Sequence, residues 1–224
     1  MVAFNFNVDG HDFERGLMIL RDSLTAALQA LDLQREKVGT EYDEYNAGLA
    51  RGEPAKGDFD EESETWIWEQ SQFYDYDLEL IEETKGAIRK THATAIYHLW
   101  ERVVRNWTGS HGRETHDMLV EKLVEKGLTV DERMKTISHL NNALKHNSHR
   151  FGPLLLAAWP EVFPADYADQ IERQKQQATD WKERGHGNGE FWPDWFDRIT
   201  LTDADMDTIF DVVRRSGPRA NTPF

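Results

Sequence analysis

The chain has 224 residues, a formal net charge of −15 and no cysteine. This length suits one main domain with a single sizeable core. The absence of cysteine excludes disulfides, thiolate nucleophiles and cysteine-ligated zinc sites. The negative charge argues against broad, non-specific coating of nucleic acid, because such binding depends on lysine and arginine neutralising phosphates.

The hydropathy of the sequence predicts no membrane segment. The longest purely apolar run is residues 154–159, far shorter than the roughly 20 residues that cross a bilayer. The first residues carry no basic region followed by an apolar stretch, which is the pattern of an export signal. We therefore expect a cytoplasmic protein with no membrane association.

The first half of the chain predicts a long antiparallel helical hairpin. Apolar residues recur at three- and four-residue steps over 11–50, and the same period resumes over 60–107 after the glycines and proline of 51–57. At about 1.5 Å per residue, each arm would be on the order of 60–70 Å long. The tip of the hairpin is expected to protrude or to contact another subunit.

Two shorter helices are predicted next, over 113–126 and over 131–148, and Gly152-Pro153 ends the second. Together with the hairpin, they predict an all-α fold built on a four-helix bundle. This bundle is expected to occupy residues 1–163.

Residues 164–224 are predicted to form a C-terminal helical extension packed on the same core. A polar helix is expected over 166–184, and Thr202 with Asp205 resembles a capping box that opens the last helix. Apolar and polar residues alternate over 2–8 and again over 199–201. This alternation predicts a short two-stranded ribbon that joins the termini.

Charge is distributed unevenly along the sequence. Residues 58–83 contain eleven acidic residues and no lysine or arginine, whereas residues 133–150 contain several basic residues and no acid. The acidic segment is suited to a basic protein partner. An RNA or nucleotide ligand would have to use the basic segment.

The helix over 131–148 carries a polar strip beside its apolar stripe. The strip follows three- and four-residue steps and consists of His139, Asn142, Lys145, His146, His149 and Arg150. Imidazoles, an ammonium, a guanidinium and a carboxamide can together bind an anion, transfer a proton or hold a phosphodiester. A solvated helix face is the other interpretation of the same pattern.

The sequence offers no complete set of metal ligands. His98 and Glu101 are neighbours on a helix, but His92 falls on the apolar stripe. The acidic segment does not have the spacing of a calcium loop. We therefore predict neither a metal nor an organic cofactor.

A run of Asn142-x-x-Lys145-His146-Asn147 at the end of a helix, following the long helix over 88–101, resembles the HEPN superfamily of bacterial helical proteins. The resemblance covers residues 88–163. Many HEPN proteins are toxin or abortive-infection ribonucleases, and two subunits commonly share a site that cleaves RNA without a metal. Their motif is an arginine, a polar residue, a short spacer and a histidine. Asn142 matches the polar residue and His146 the histidine, while Asn141 stands where the arginine is expected.

A second match to that motif is Arg105-Asn106 followed by His111. It keeps both the arginine and the histidine, but Gly109 is expected to end the helix before His111 is reached. Both matches stay open at the level of sequence.

The resemblance implies a metal-independent endoribonuclease of the defence or toxin type, acting as a homodimer on RNA. His146 would be the general acid or base, Lys145 and Arg150 would stabilise the phosphate, and Asn142 would orient the phosphate or the imidazole. The alternative is a non-catalytic helical interaction protein whose acidic hairpin binds a basic partner.

Overall fold

A computed structural model describes residues 7–147, 149–186 and 190–220. The described residues form eight α-helices, one 3₁₀ turn and one antiparallel pair of strands. The predicted predominantly helical fold is therefore confirmed. None of the described helices combines the length and the apolar character that a membrane crossing requires.

The elements follow one another as α1 (Val8–Ala50), β1 (Gly57–Asp60), β2 (Thr65–Glu69), α2 (Gln70–Thr108), α3 (His116–Glu125), α4 (Met134–His146), α5 (Phe151–Ala158), the 3₁₀ turn Pro160–Val162, α6 (Tyr167–Glu183), α7 (Trp195–Arg198) and α8 (Asp203–Arg215). The chain divides into two compact units. The first contains the described residues of 1–21 and 89–224, and the second is 22–88. The predicted boundary at residue 163 lies inside the first unit.

The core of the first unit is built on helices whose apolar residues recur at helical steps. Its fully buried side chains include Ile96, Tyr97 and Trp100 of α2, Leu119 and Leu123 of α3, Ile137 and Leu140 of α4, and Ile209 and Val213 of α8. The Trp100 indole is completely buried, and its Nε1 donates to the carbonyl oxygen of Ser216 at 2.6 Å. Burying a large apolar side chain contributes about 1.5–3 kcal/mol. This shared core therefore fixes α2, α3 and α4 relative to one another.

An asparagine side chain ties the end of α4 to α7. Asn147 has left-handed backbone geometry, with φ 43° and ψ 48°, and follows the last helical residue. Its side-chain Oδ1 accepts hydrogen bonds from the backbone N–H of Trp195 at 2.7 Å and of Phe196 at 3.1 Å. The side chain of Asn147 therefore holds α7 beside the end of α4.

The second predicted helix was placed too early. It was expected from residue 60, but α2 begins at Gln70, and residues 57–69 form the β1–β2 ribbon instead. The reason is local, because β-branched and aromatic residues fill Thr65–Trp68. Asp60 closes the intervening turn by accepting from the Glu62 N–H at 3.0 Å and the Ser63 hydroxyl at 2.6 Å.

The ribbon that was predicted at the termini is absent from the described residues. Val8 begins α1, Ile199 and Leu201 are buried between α7 and α8 without forming a strand, and residues 2–6 lie outside the described part. The two ends of the described part are joined by a backbone hydrogen bond from Asn7 N–H to Ala220 O at 2.8 Å. The predicted capping box of Thr202 is confirmed.

In the second unit, the segments of α1 and α2 run antiparallel. The Arg35 guanidinium lies 3.1 Å from Glu82, and the rings of Tyr42 and Tyr74 stack with centroids 5.2 Å apart. Closer to the ribbon, the Tyr45 hydroxyl donates to Glu69 at 3.2 Å. These contacts anchor the ribbon to the helical pair of its own unit.

Candidate functional site

The first unit contains a polar cavity of about 360 Å³. It lies between α2, the beginning of α3, α4 and the beginning of α5. Its polar lining consists of Tyr97, His98, Glu101, Glu114, Thr115, His116, Asp117, Lys135, Ser138, His139, Asn141, Asn142, Lys145 and Arg150. Three imidazoles and three cationic side chains therefore meet around one small volume.

The structure brings together most of the polar strip that the sequence indicated. His139, Asn142, Lys145 and Arg150 all line the cavity. His146, the last residue of α4, is exposed and does not line it. The role of His146 as the general acid or base stays a prediction. The histidine of α4 that lines the cavity is His139.

The second motif match is dispersed. Arg105 donates to the Glu101 carboxylate at 3.4 Å and to the Glu114 carbonyl oxygen at 3.2 Å, so its guanidinium supports the cavity wall. Asn106 and His111 are exposed and do not line the cavity. The helix ends at Thr108, as the position of Gly109 predicted.

His116 is a site residue that the sequence reasoning missed. Its Nδ1 lies 3.0 Å from the Tyr97 hydroxyl, and that hydroxyl donates its proton to Ser138 Oγ at 3.1 Å. Because the Tyr97 hydroxyl has one proton, the hydrogen-bond network assigns an N–H to His116 Nδ1, which donates to Tyr97. The basic lone pair of the imidazole is then on Nε2.

Burial keeps this imidazole neutral. It lowers the pKa of His116 to about 4, and the nearby Lys135 ammonium acts in the same direction. The pKa of His139 is lowered by the same two causes. Burial also raises the pKa of the Tyr97 hydroxyl, so Tyr97 stays protonated at neutral pH. At pH 7, His116 is therefore a neutral imidazole whose Nε2 can accept a proton.

Each carboxylate of the cavity has a cationic neighbour. Asp117 pairs with Lys135, and that hydrogen bond holds the pKa of Asp117 below its usual range. Glu114 pairs with Lys122 at 3.1 Å. Glu101 accepts from His98 Nδ1 at 3.1 Å, in addition to its bond with Arg105.

Two cationic side chains at one end of the cavity, Lys145 and Arg150, can attract an anionic ligand. Lys145 is exposed and forms no ion pair within the part of the chain that the structure describes. Arg150 is also exposed, and its guanidinium lies 5.3 Å from the Phe151 ring centroid. Lys145 and Arg150 therefore make their end of the cavity suitable for phosphate.

Three buried polar atoms in the cavity wall have no hydrogen-bond partner among the described residues. They are Asn141 Oδ1, His139 Nδ1 and Glu114 Oε2, and Asn141 is 4% exposed. Unpaired buried polar atoms cost stability, and they concentrate where a protein binds a ligand. Among the described residues, no group of three or more histidine, aspartate or glutamate side chains is arranged to hold a metal ion.

The pKa of His116 predicts how stability depends on pH. Its folded value of about 4 is below the ordinary 6.5, so the unfolded chain takes up a proton first as the pH falls. The contribution of neutral His116 to the free energy of unfolding is therefore fully present above pH 6.5. It is lost as the pH falls from 6.5 to 4. From pH 7 to 4, we expect the parent to lose on the order of 3 kcal/mol more unfolding free energy than His116→Gln. Urea titrations of both proteins at a series of pH values measure this difference, and parallel pH profiles would contradict it.

No protein-family model matches the sequence, and no curated protein or solved structure is significantly similar to it.

Proposed function

We propose that the protein is a metal-independent endoribonuclease of the bacterial defence or toxin type, with a HEPN-like bundle, and that its reaction takes place in the polar cavity. One observation carries the proposal. A neutral imidazole, His116, shares the cavity with His139 and with the cations Lys145 and Arg150. Acid–base cleavage of RNA needs a proton acceptor, a proton donor and positive charge at the phosphate.

The proposed reaction uses the ribose 2′-hydroxyl as the nucleophile. His116 Nε2 accepts the 2′-hydroxyl proton as the 2′-oxygen bonds to phosphorus. The bond from phosphorus to the 5′-oxygen breaks, and His139 protonates that oxygen. The products are a 2′,3′-cyclic phosphate and a 5′-hydroxyl. Lys145 and Arg150 stabilise the pentavalent phosphate, which Asn142 orients. His146 is a second candidate for the proton donor.

Substrate binding would prepare His139 for its role. Burial and Lys135 lower the pKa of His139 in the free protein. A phosphodiester bound between Lys145 and Arg150 adds negative charge near the ring, which favours the protonated imidazole. Protonation of His139 is thus coupled to the arrival of RNA.

The test is cleavage of a labelled single-stranded RNA by the purified full chain. We expect cleavage in the presence of EDTA, and we expect the DNA of the same sequence to remain intact because it lacks the 2′-hydroxyl. A 2′,3′-cyclic phosphate end on the upstream product identifies the chemistry. An intact RNA, or equal cleavage of the DNA, would show that the proposal is wrong.

The resemblance to HEPN proteins also leads us to propose a homodimer in which the two motif helices approach each other. Sedimentation at micromolar concentration tests this part by itself. If the protein remains monomeric while it cleaves RNA, the proposal of a site shared between two subunits is wrong, and the proposed cleavage reaction still stands.

A second proposed function is non-catalytic binding of a basic protein partner through the acidic segment 58–83. The observation in its favour is that this segment also exposes large apolar side chains, including Phe59, Ile67 and Phe73. Extended exposed apolar surface marks interaction sites. Salt-sensitive binding of a cationic protein probe, lost when acidic residues of the segment are changed to lysine, would support this function.

A further inference from the structure

The β1–β2 ribbon carries an unusual set of exposed apolar side chains. Trp66 and Trp68 of β2 and Phe59 of β1 remain about 40% or more exposed. Phe59 and Trp66 pack edge to face with centroids 5.2 Å apart, and Trp68 and Phe73 do the same at 5.4 Å. These pairs hold one another in fixed orientations. The ribbon therefore carries two ordered pairs of exposed aromatic side chains rather than scattered apolar residues.

A β-bulge leaves an exposed aliphatic residue, Ile67, between the two tryptophans of β2. The strand pairing matches Phe59 with Trp66 and Asp58 with Trp68, so the register skips Ile67. Bulges redirect the extra side chain and are frequent at binding sites. Ile67 is 65% exposed, the most of any apolar residue in the ribbon. Ile67 therefore has no partner residue on β1, and its side chain is left exposed.

The ribbon is also incomplete as a sheet. It has two strands among the described residues, and each strand pairs only with the other. Two-stranded ribbons are marginally stable alone, and their outer edges present unpaired backbone groups. A bound segment that covered the exposed aromatic side chains would bury apolar area, and it would also stabilise the ribbon.

The negative charge around the ribbon indicates what kind of ligand it binds. Eleven acidic residues and no lysine or arginine lie in 58–83. RNA would be repelled, because its binding depends on cationic side chains. A second copy would bring the same acidic run against itself, and like charges across an interface are costly. Arginine fits both features, since its guanidinium pairs with carboxylates and stacks on aromatic faces.

We propose that the β1–β2 ribbon is the docking surface for a positively charged segment of a partner protein, in which arginine or lysine alternates with apolar residues. The aromatic pairs and Ile67 contact its apolar side chains, and the surrounding carboxylates pair with its cations. This inference rests on the second proposed function and is independent of the ribonuclease proposal.

The experiment is a fluorescence anisotropy titration of the full chain with a labelled peptide of alternating arginine and valine. A peptide of alternating glutamate and valine is the control ligand. We expect the cationic peptide alone to bind, and its affinity to fall as salt screens the charges. The change Ile67→Asp tests the apolar contact. The aspartate adds negative charge, yet we expect at least about tenfold weaker binding, because the apolar contact between Ile67 and the peptide is lost.

Leu33→Asp is the matched control. Leu33 is 68% exposed on α1 in the same unit. Its replacement by aspartate adds the same charge away from the ribbon. We expect its affinity for the peptide to stay within about twofold of the parent. Glu61→Lys and Glu62→Lys, in the exposed turn between the strands, should weaken binding through charge alone. Circular dichroism establishes that each variant is folded.

The outcomes separate this inference from the function on which it rests. If Ile67→Asp binds the peptide as well as Leu33→Asp does, the ribbon is not the docking surface, although the acidic segment still binds a basic partner. If the cationic peptide does not bind up to about 1 mM at low salt, both proposals are wrong. Loss of self-association, or of binding to an RNA oligonucleotide, in Ile67→Asp alone would also overturn the inference, in favour of a second copy or of RNA.

Discussion

Replacing Trp100 with alanine is expected to lower the free energy of unfolding by about 3–5 kcal/mol, the range for removing a large aromatic side chain from a core. The indole is completely buried, and its ring lies 5.7 Å from Tyr97 and 5.4 Å from His116 between centroids. Truncation would leave a cavity beneath the candidate site and would leave the Ser216 carbonyl without its donor. Urea unfolding followed by circular dichroism measures the loss.

Trp181→Ala is the matched control for this change. Trp181 is 63% exposed on α6, so the same truncation should alter the free energy of unfolding by no more than about 0.5 kcal/mol. Equal losses in the two variants would mean that Trp100 is not part of the core. Trp100→Phe should fall between them, because it keeps most of the packing and loses the hydrogen bond.

Replacing His116 or His139 with alanine is expected to reduce RNA cleavage by about 10² or more, the usual contribution of a general acid or base. His116 supplies the neutral proton acceptor and His139 the donor, so the single-turnover rate should fall in both variants. EDTA should leave the rate of the parent unchanged. Lys145→Ala and Arg150→Ala should also slow cleavage, because each removes charge that stabilises the phosphate.

His111→Ala is the control for these histidine variants. His111 is exposed and outside the cavity, so its rate should equal that of the parent. His146→Ala decides between the sequence motif and the cavity as the source of the second proton-transfer group. A loss of about 10² in His146→Ala, with His139→Ala unaffected, would transfer the donor role to His146. Full activity in both His116→Ala and His139→Ala would show that the cavity is not catalytic.

The helices were predictable where apolar residues kept a helical period over many turns. The capping box of Thr202 and the end of α2 before Gly109 were also readable from single residues. The beginning of α2 was not, because apolar residues of the ribbon continue the same spacing into Thr65–Trp68. There, β-branched and aromatic residues with the turn at Asp60 favoured strands over the helical period.

The candidate site was predictable only as far as it depends on one stretch of chain. His139, Asn142 and Lys145 follow one another on α4, and Arg150 comes shortly after it, so their spacing suggested proximity. His116 and Tyr97 belong to different helices, and tertiary packing brings them together. The sequence signal that could have indicated His116 is its position directly after Thr115, the N-cap residue of α3.

Asn147 has a consequence for which residues this position can tolerate. Glycine would adopt the left-handed turn with ease, yet it would leave the N–H groups of Trp195 and Phe196 without their acceptor. Alanine would lose the acceptor and strain the turn. Asparagine meets both requirements, since it is tolerant of this conformation and carries a side-chain carbonyl. The contact between two stretches almost fifty residues apart in the chain thus depends on the Asn147 carboxamide. Neither glycine nor alanine can replace it.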